Sequence, residues 1–253
     1  MYATTGFTYR QILDLTSLMR PFIPVKQKWN GRRMKLTIHN QIVATLAYLR
    51  NNTTQDELAE RFDVSQPTIS RIITRLTSVI ERALADWVPT GDDLDPRNSY
   101  IVDGTLVPAW SWSDYPEDYS GKHHTTGLNL QVACDTVGRL AWISDPLPGS
   151  THDAKAIRES NILEKGGASY VGDKGYIGLG MITPIKKKPG QIHLSERDKV
   201  FNREIHEIRY VIERAISHLK NWRILHTDYR RPHRTHPQTI TAVISLHFYK
   251  LSL

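Results

Sequence analysis

From Leu36 onward the apolar positions fall at helical spacing, with Ile38, Ile42, Leu46 and Leu49 lining one face of a predicted helix that stops at Asn51-Asn52. In Thr54-Gln55-Asp56-Glu57 a hydroxyl and a carboxylate stand three residues apart. That is the spacing of a capping box, and it predicts a short helix over 55–62. Asp63-Val64 makes a turn. Ser65 is then suited to cap a following helix, Pro67 fits only its first turn, and Ile69, Ile72, Ile73 and Leu76 supply its buried side. Between Trp87 and Arg97 periodicity disappears and breakers crowd together, which marks a boundary. Beyond it the texture changes. Strands are predicted at 100–102, 128–134, 140–144 and 168–172, with a helix over 153–160 and a longer one over 198–222. The pattern predicts an all-α segment over 1–90 and a mixed α/β domain over 98–253.

Composition narrows the classes. The chain has 253 residues, 40% hydrophobic and 23% charged, which suits a folded globular protein rather than a disordered one. No apolar run reaches the length of a membrane span, and Met1-Tyr2-Ala3-Thr4-Thr5 lacks the features of a signal peptide, so no membrane and a cytoplasmic location are expected. The single cysteine, Cys134, excludes an internal disulfide and a multi-cysteine zinc cage, and it reads as a small buried side chain. His233 and His236 sit in an Arg- and Pro-rich stretch without a cysteine partner, a poor setting for zinc. A formal charge of +7 favours polyanionic partners, with the nucleoid as the expected place if that partner is DNA.

The two helices around Asp63-Val64 have the layout of a helix-turn-helix, whose second helix presents polar side chains to the major groove. Here these are Gln66, Thr68, Ser70, Arg71 and Arg75, a set able to read adenine and guanine edges and to hold phosphates. Arg32, Arg33 and Lys35 add phosphate ligands upstream. The plain alternative is a structural hairpin with a solvated outer face. Further basic clusters are suited to line a DNA channel: Lys186-Lys187-Lys188, with Lys187 at its centre, and Arg223, Arg230, Arg231 and Arg234. Tyr229 and Trp222 are candidate stacking groups, and Trp110 and Trp112 are either packing aromatics or wedges against a base.

Three carboxylates stand out: Asp103 and Asp173 at predicted strand ends and Glu213 in the long helix. Singly, each has a structural explanation, since Asp-Gly and Gly-Asp-Lys-Gly suit turns and Glu213 is spaced to pair with Arg209. Together they offer the oxygen ligands that hard divalent cations need, and two such ions serve phosphodiester chemistry. The long helix supports this. Phe201, Ile205, Ile208, Ile212, Ala215, Leu219 and Trp222 form a predicted buried stripe, with His206, Arg209, Glu213 and Lys220 forming a second stripe beside it. Asp153 rivals Asp173. It is set aside because Asp-Ala-Lys-Ala-Ile reads as the first turn of a helix, where the helix dipole explains a carboxylate.

These pieces resemble the DDE transposases of bacterial insertion sequences, in the branch similar to the eukaryotic Harbinger-type transposases. The resemblance rests on Ile101-Val102-Asp103-Gly104-Thr105, on Val171-Gly172-Asp173-Lys174-Gly175-Tyr176, and on Arg209, Glu213 and Lys220 at the spacing of the family's last motif. His206 stands where that motif usually has Tyr, and Pro148-Gly149-Ser150-Thr151-His152-Asp153 also resembles a family segment. The resemblance implies an α/β, RNase H-like mixed-sheet catalytic domain preceded by the all-α helix-turn-helix segment. It implies Asp103, Asp173 and Glu213 as ligands of two Mg²⁺ ions, with Mn²⁺ able to substitute, and Arg209 and Lys220 as groups that orient the Glu or hold phosphate. The implied reaction is cleavage at transposon ends followed by strand transfer into target DNA, by a homodimer or larger assembly on double-stranded DNA. The rival readings are a catalytically silent domesticated transposase acting as a regulator, and a host nuclease of the same fold.

Overall fold

A computed structural model describes residues 1–23, 28–29, 32–33, 35–110, 113–165 and 167–253. Trp112 lies outside the described residues, as do the side chains of Arg32 and Arg33. The chain divides into two compact units, 1–88 with 220–253, and 89–219.

The first unit begins with helices α1 (Tyr2–Thr5) and α2 (Tyr9–Met19), followed by a two-stranded antiparallel ribbon, β1 (Lys28–Trp29) with β2 (Arg32–Arg33). Helices α3 (Ile38–Asn51), α4 (Gln55–Arg61) and α5 (Gln66–Ala83) follow where the periodicity places them. Thr54 caps α4 by accepting the Glu57 amide at 3.2 Å, but the Glu57 carboxylate takes Arg61 at 2.9 Å, so only half of the predicted box forms. The turn before α5 uses Asp63 in the left-handed region (φ 50°), a conformation that a short polar residue tolerates. Ser65 holds the N-cap position, although its hydroxyl pairs with that of Thr68 rather than with a backbone amide. Ile42, Leu46, Leu49, Leu58, Ile69, Ile73 and Leu76 are all fully buried, each contributing about 2 kcal/mol of apolar burial.

The second unit is built on a mixed sheet. Strand β3 (Ser99–Pro108) pairs along its length with antiparallel β5 (Thr125–Asp135) and, over its first residues, with parallel β8 (Ser169–Val171). The other edge of β5 carries the short strands β4 (Tyr119–Ser120), β6 (Leu140–Ile143) and β7 (Leu147–Pro148). This mixed α/β arrangement agrees with the expected RNase H-like class. The sequence predicts the first strand over 100–102, whereas β3 runs on to Pro108 because Gly104 to Pro108 pair with Gln131 to Gly127.

Alternation along the strands gives the sheet two distinct faces. Tyr100 and Val102 point into a core with Ile157 and Ile162, which belong to α6 (Asp153–Glu159) and α7 (Ile162–Lys165). Ile101 and Asp103 therefore point to the opposite face, where α8 (Glu196–Leu219) packs on β3 and β5.

Helix α8 ends at Leu219, short of the predicted 222, so Lys220 and Trp222 lie beyond it. Ile205, Ile212, Ala215 and Leu219 are buried as predicted, but Ile208 is 41% exposed. The apolar stripe is thus narrower than its sequence spacing suggests. Helix α9 (His236–Leu251) is mostly buried and packs on α5 within the first unit. Compactness therefore groups 220–253 with the N-terminal helices, although the sequence reading placed this segment with the α/β domain.

Candidate active site

Asp103 is central to the site. It lies mid-strand on β3 with its side chain 19% exposed, and Oδ2 accepts a hydrogen bond from Arg209 Nη2 at 3.2 Å. Its Oδ1 accepts from the Gly104 amide at 2.9 Å. Burial pushes the Asp103 carboxyl above its ordinary range against the pull of Arg209, and the neighbouring Asp173 charge pushes the same way.

Strand register brings Asp173 to the same place. Tyr100 and Ile101 pair with Tyr170 and Val171 in parallel, and continuing that register by two residues sets Asp173 level with Asp103. Asp173 starts a short 3-10 turn, and its Oδ1 accepts the Gly175 amide at 2.6 Å. Two carboxylates thus converge from neighbouring strand positions, close enough for the Asp173 charge to act on Asp103. Such a pair, with one carboxyl already burdened by burial and by its neighbour's charge, suits a hard divalent cation.

Arg209 is brought into this site, and Glu213 follows one turn later on α8 with an exposed side chain. Among the described residues no three His, Cys, Asp or Glu side chains stand together as a ready cage for a metal ion. The structure therefore assembles Asp103, Asp173 and Arg209 but does not gather Glu213 with them. Lys220, predicted to share the Glu213 face, is the first residue past α8, and His206 is exposed on α8.

Asp153 stands behind the strand. Cross-strand partners share a face, so Gln131 opposite Gly104 and Asn129 opposite Leu106 point away from the Asp103 side. Asn129 Nδ2 and Gln131 Nε2 each donate to Asp153 Oδ1 at 3.2 Å, and Lys122 Nζ donates to Oδ2 at 2.7 Å. Tyr176, fully buried, donates from its hydroxyl to Gln131 Oε1 at 2.6 Å. Burial works to raise the Asp153 pKa, but the hydrogen bonds from Lys122, Asn129 and Gln131 outweigh it and hold the carboxyl below its ordinary value. With Oδ1 already accepting two bonds, Asp153 has less ligand capacity left than Asp173.

Sequence reading named none of Lys122, Asn129 and Gln131, and Tyr176 only as the end of the Asp173 motif. A signal for two of them existed: Asn129 and Gln131 are polar residues at period two in the otherwise apolar run Leu128 to Cys134.

The predicted DNA-contacting residues separate by exposure. Arg71 is exposed on α5, and Ser70 and Thr68 are half-buried beside it. Gln66 donates to Gln55 at 2.7 Å. Arg75 turns inward to Gln41, and burial lowers its pKa. Lys187 is exposed and donates to the Ile192 carbonyl at 2.9 Å. Arg230 donates to Asn52 and Arg231 to Thr74, so both lie against α3 and α5 within the first unit.

Trp222 and Tyr229 are buried and are corrected from stacking groups to core residues. Tyr229 stacks on His236 at 4.4 Å, and burial, with the nearby His233 charge, drives His236 down to about 3. Trp110 is 62% exposed. Cys134 is fully buried, as expected, and burial followed by the Asp135 charge pushes its thiol up to about 12. Among the described residues no helix is long and apolar enough to cross a membrane.

Comparison with known proteins yields two family matches, a DDE superfamily endonuclease over residues 102–247 and the helix-turn-helix of DDE superfamily endonucleases over 34–86. The chain is 30% identical over 203 residues to the "Putative transposase for insertion sequence element IS112" of Streptomyces albus G, covering 77% of this chain and 73% of that protein. It is 26% identical over 247 residues to the "Probable transposase for insertion sequence element IS702" of Microchaete diplosiphon, covering 90% and 86%. No solved structure matches. The endonuclease match runs through β3, the Asp173 turn and α8, takes in each predicted acidic residue, and covers more than half of the sequence, so the chain belongs to the DDE superfamily of endonucleases.

Proposed function

We infer that the protein is a DNA transposase that binds the ends of its own element through the helix-turn-helix and cleaves DNA at the Asp103–Asp173 site, with strand transfer into target DNA following. The observation that carries this reading is the parallel register that sets Asp173 level with Asp103, beside Arg209. Family membership and the transposase names of the two relatives support it. The spacing of Arg209, Glu213 and Lys220, that of the family's last motif, supports the same reading.

Asp103 and Asp173 would hold Mg²⁺ or Mn²⁺, with Glu213 completing the set from α8 and two ions the expected number. Bound there, such ions supply an activated attacking oxygen and a stabilised leaving oxygen. Arg209 keeps the Asp103 carboxylate oriented and offers its remaining N–H groups to phosphate. On the DNA-binding side, Arg71 is the best-placed base reader, with Gln66, Thr68 and Ser70 around it. Arg230 and Arg231 extend the same unit toward the phosphate backbone.

The test is incubation of the full chain with duplex DNA carrying the ends of its element and Mg²⁺, mapping nicked and joined products. Wild-type cleavage that disappears in Asp173→Asn and in Glu213→Gln supports the reading. Specific binding without cleavage in Mg²⁺ or Mn²⁺ would favour the silent regulator instead, and nicking without joined products the host nuclease.

A further inference from the structure

We propose that Lys122 contacts the phosphate at the cleavage site, and that Asp153 is a positioning residue that holds its ammonium there. The inference rests on the cleavage reading above and assigns it a further substrate-binding group.

Lys122 lies in the turn between β4 and β5, and its side chain is 56% exposed. Its Nζ donates to Asp153 Oδ2 at 2.7 Å. An ammonium carries three N–H donors, so two remain for another acceptor. Its partner Asp153 lies against Gly104, the residue next to Asp103 in β3, which brings Lys122 near the acidic pair, and the Lys122 charge acts on Asp103. A cation there, half in solvent and with donors to spare, matches a non-bridging phosphate oxygen of a strand laid across the pair.

The support for Lys122 is built deep into the sheet. Asp153 is 13% exposed, and its other oxygen is fixed by Asn129 and Gln131, while Gln131 is itself held by the buried Tyr176 hydroxyl. Gly104 makes room for this arrangement. A Cβ at Gly104 would lie 2.2 Å from Asp153 Oδ1, so any side chain there displaces the carboxylate. The residue next to Asp103 thus lets a carboxylate from behind the strand reach the end of Lys122. Such a chain of contacts exceeds what an ordinary surface ion pair requires.

The experiment uses the full chain and a duplex oligonucleotide carrying the end of its element, in two measurements. In the first, single-turnover nicking with Mg²⁺ at saturating protein should fall about 100-fold in Lys122→Ala and stay within about tenfold of wild type in Lys122→Arg. Asp153→Asn should fall about tenfold by itself but add nothing in the Lys122→Ala background, because both changes remove the same contact. Gly104→Ala should behave like Asp153→Asn. In the second, without metal, a plot of log affinity against log salt concentration should be shallower by about 0.9 in Lys122→Ala, the loss of one phosphate contact.

Wild-type nicking by Lys122→Ala overturns the assignment, and so do independent, multiplying effects of Lys122→Ala and Asp153→Asn. Wild-type protein that nicks nothing in Mg²⁺ or Mn²⁺ brings down the cleavage reading instead. The metal-free salt slope then decides Lys122 by itself, and an unchanged slope rejects it.

Discussion

The helix-turn-helix and the acidic site are assembled by interactions of different range. Around α4 and α5 the organising contacts span three or four residues, as in Thr54 to the Glu57 amide and Glu57 to Arg61. At the acidic site the contacts join Asp103 to Arg209, Lys122 to Asp153 and Tyr176 to Gln131, groups separated by 106, 31 and 45 positions. Elements made by local contacts are legible from local spacing, whereas side-chain direction depends on partners that arrive from elsewhere. Arg71 and Arg75 illustrate the second point inside the first region. They lie one turn apart on α5, yet Arg71 is exposed and Arg75 turns in to Gln41, 34 residues away.

The largest effect expected is at the long-range site. Asp173→Asn should lower Mg²⁺-dependent nicking by at least about a thousandfold while DNA binding survives, measured by single-turnover cleavage alongside anisotropy. Asp153→Asn should retain measurable cleavage. The reverse ranking would show that register on β3 and β8 does not select the second carboxylate.

The next effect separates the two arginines of α5. Arg71→Ala should weaken binding of element-end DNA by about tenfold with unchanged thermal unfolding. Arg75→Ala should lower the unfolding temperature and leave affinity within about twofold once folded, because its role is internal. Equal losses of affinity would dissolve the distinction.

A smaller change concerns the support behind β3. Tyr176→Phe should destabilise the protein by about 1–3 kcal/mol in denaturant unfolding, since it leaves Gln131 Oε1 buried without its donor. No change would mean that the network is dispensable.

The smallest effect is a pH dependence. The folded Asp153 carboxyl lies below its ordinary value, so its ionised form contributes stability that is present above the unfolded carboxylate value of about 4 and lost as pH falls through the folded one. The stability gap between wild type and Asp153→Asn should therefore be widest at neutral pH and close in acid. A gap that widens on acidification would contradict the sign of the shift.

How much was legible follows the same division. The helices 38–51, 55–61 and 66–83 were readable from apolar period and caps, and the longer strands from their texture, although β3 ran six residues past its predicted end because β5 continued to pair with it. Asp103 and Asp173 were readable as candidates, as was Arg209. Lys122 was not, because a lysine in a turn gains meaning only from the carboxylate it meets. Nor was the inward turn of Tyr229, since an aromatic residue in a basic stretch looks the same in sequence whether it packs or stacks, while Trp222 was readable both as part of the buried stripe and as a stacking group.

The sequence by itself determined the helix-turn-helix, the longer strands and the candidate acidic residues, because backbone hydrogen bonding and side-chain period act over a few positions. Tertiary structure alone decided that Asp173 stands level with Asp103, that Asp153 lies behind Gly104 on the other face, and that 220–253 packs with the N-terminal helices. The physical reason is that strand pairing fixes register and face between segments far apart in the chain. A shift of one residue in that pairing would turn each side chain to the opposite side of the sheet.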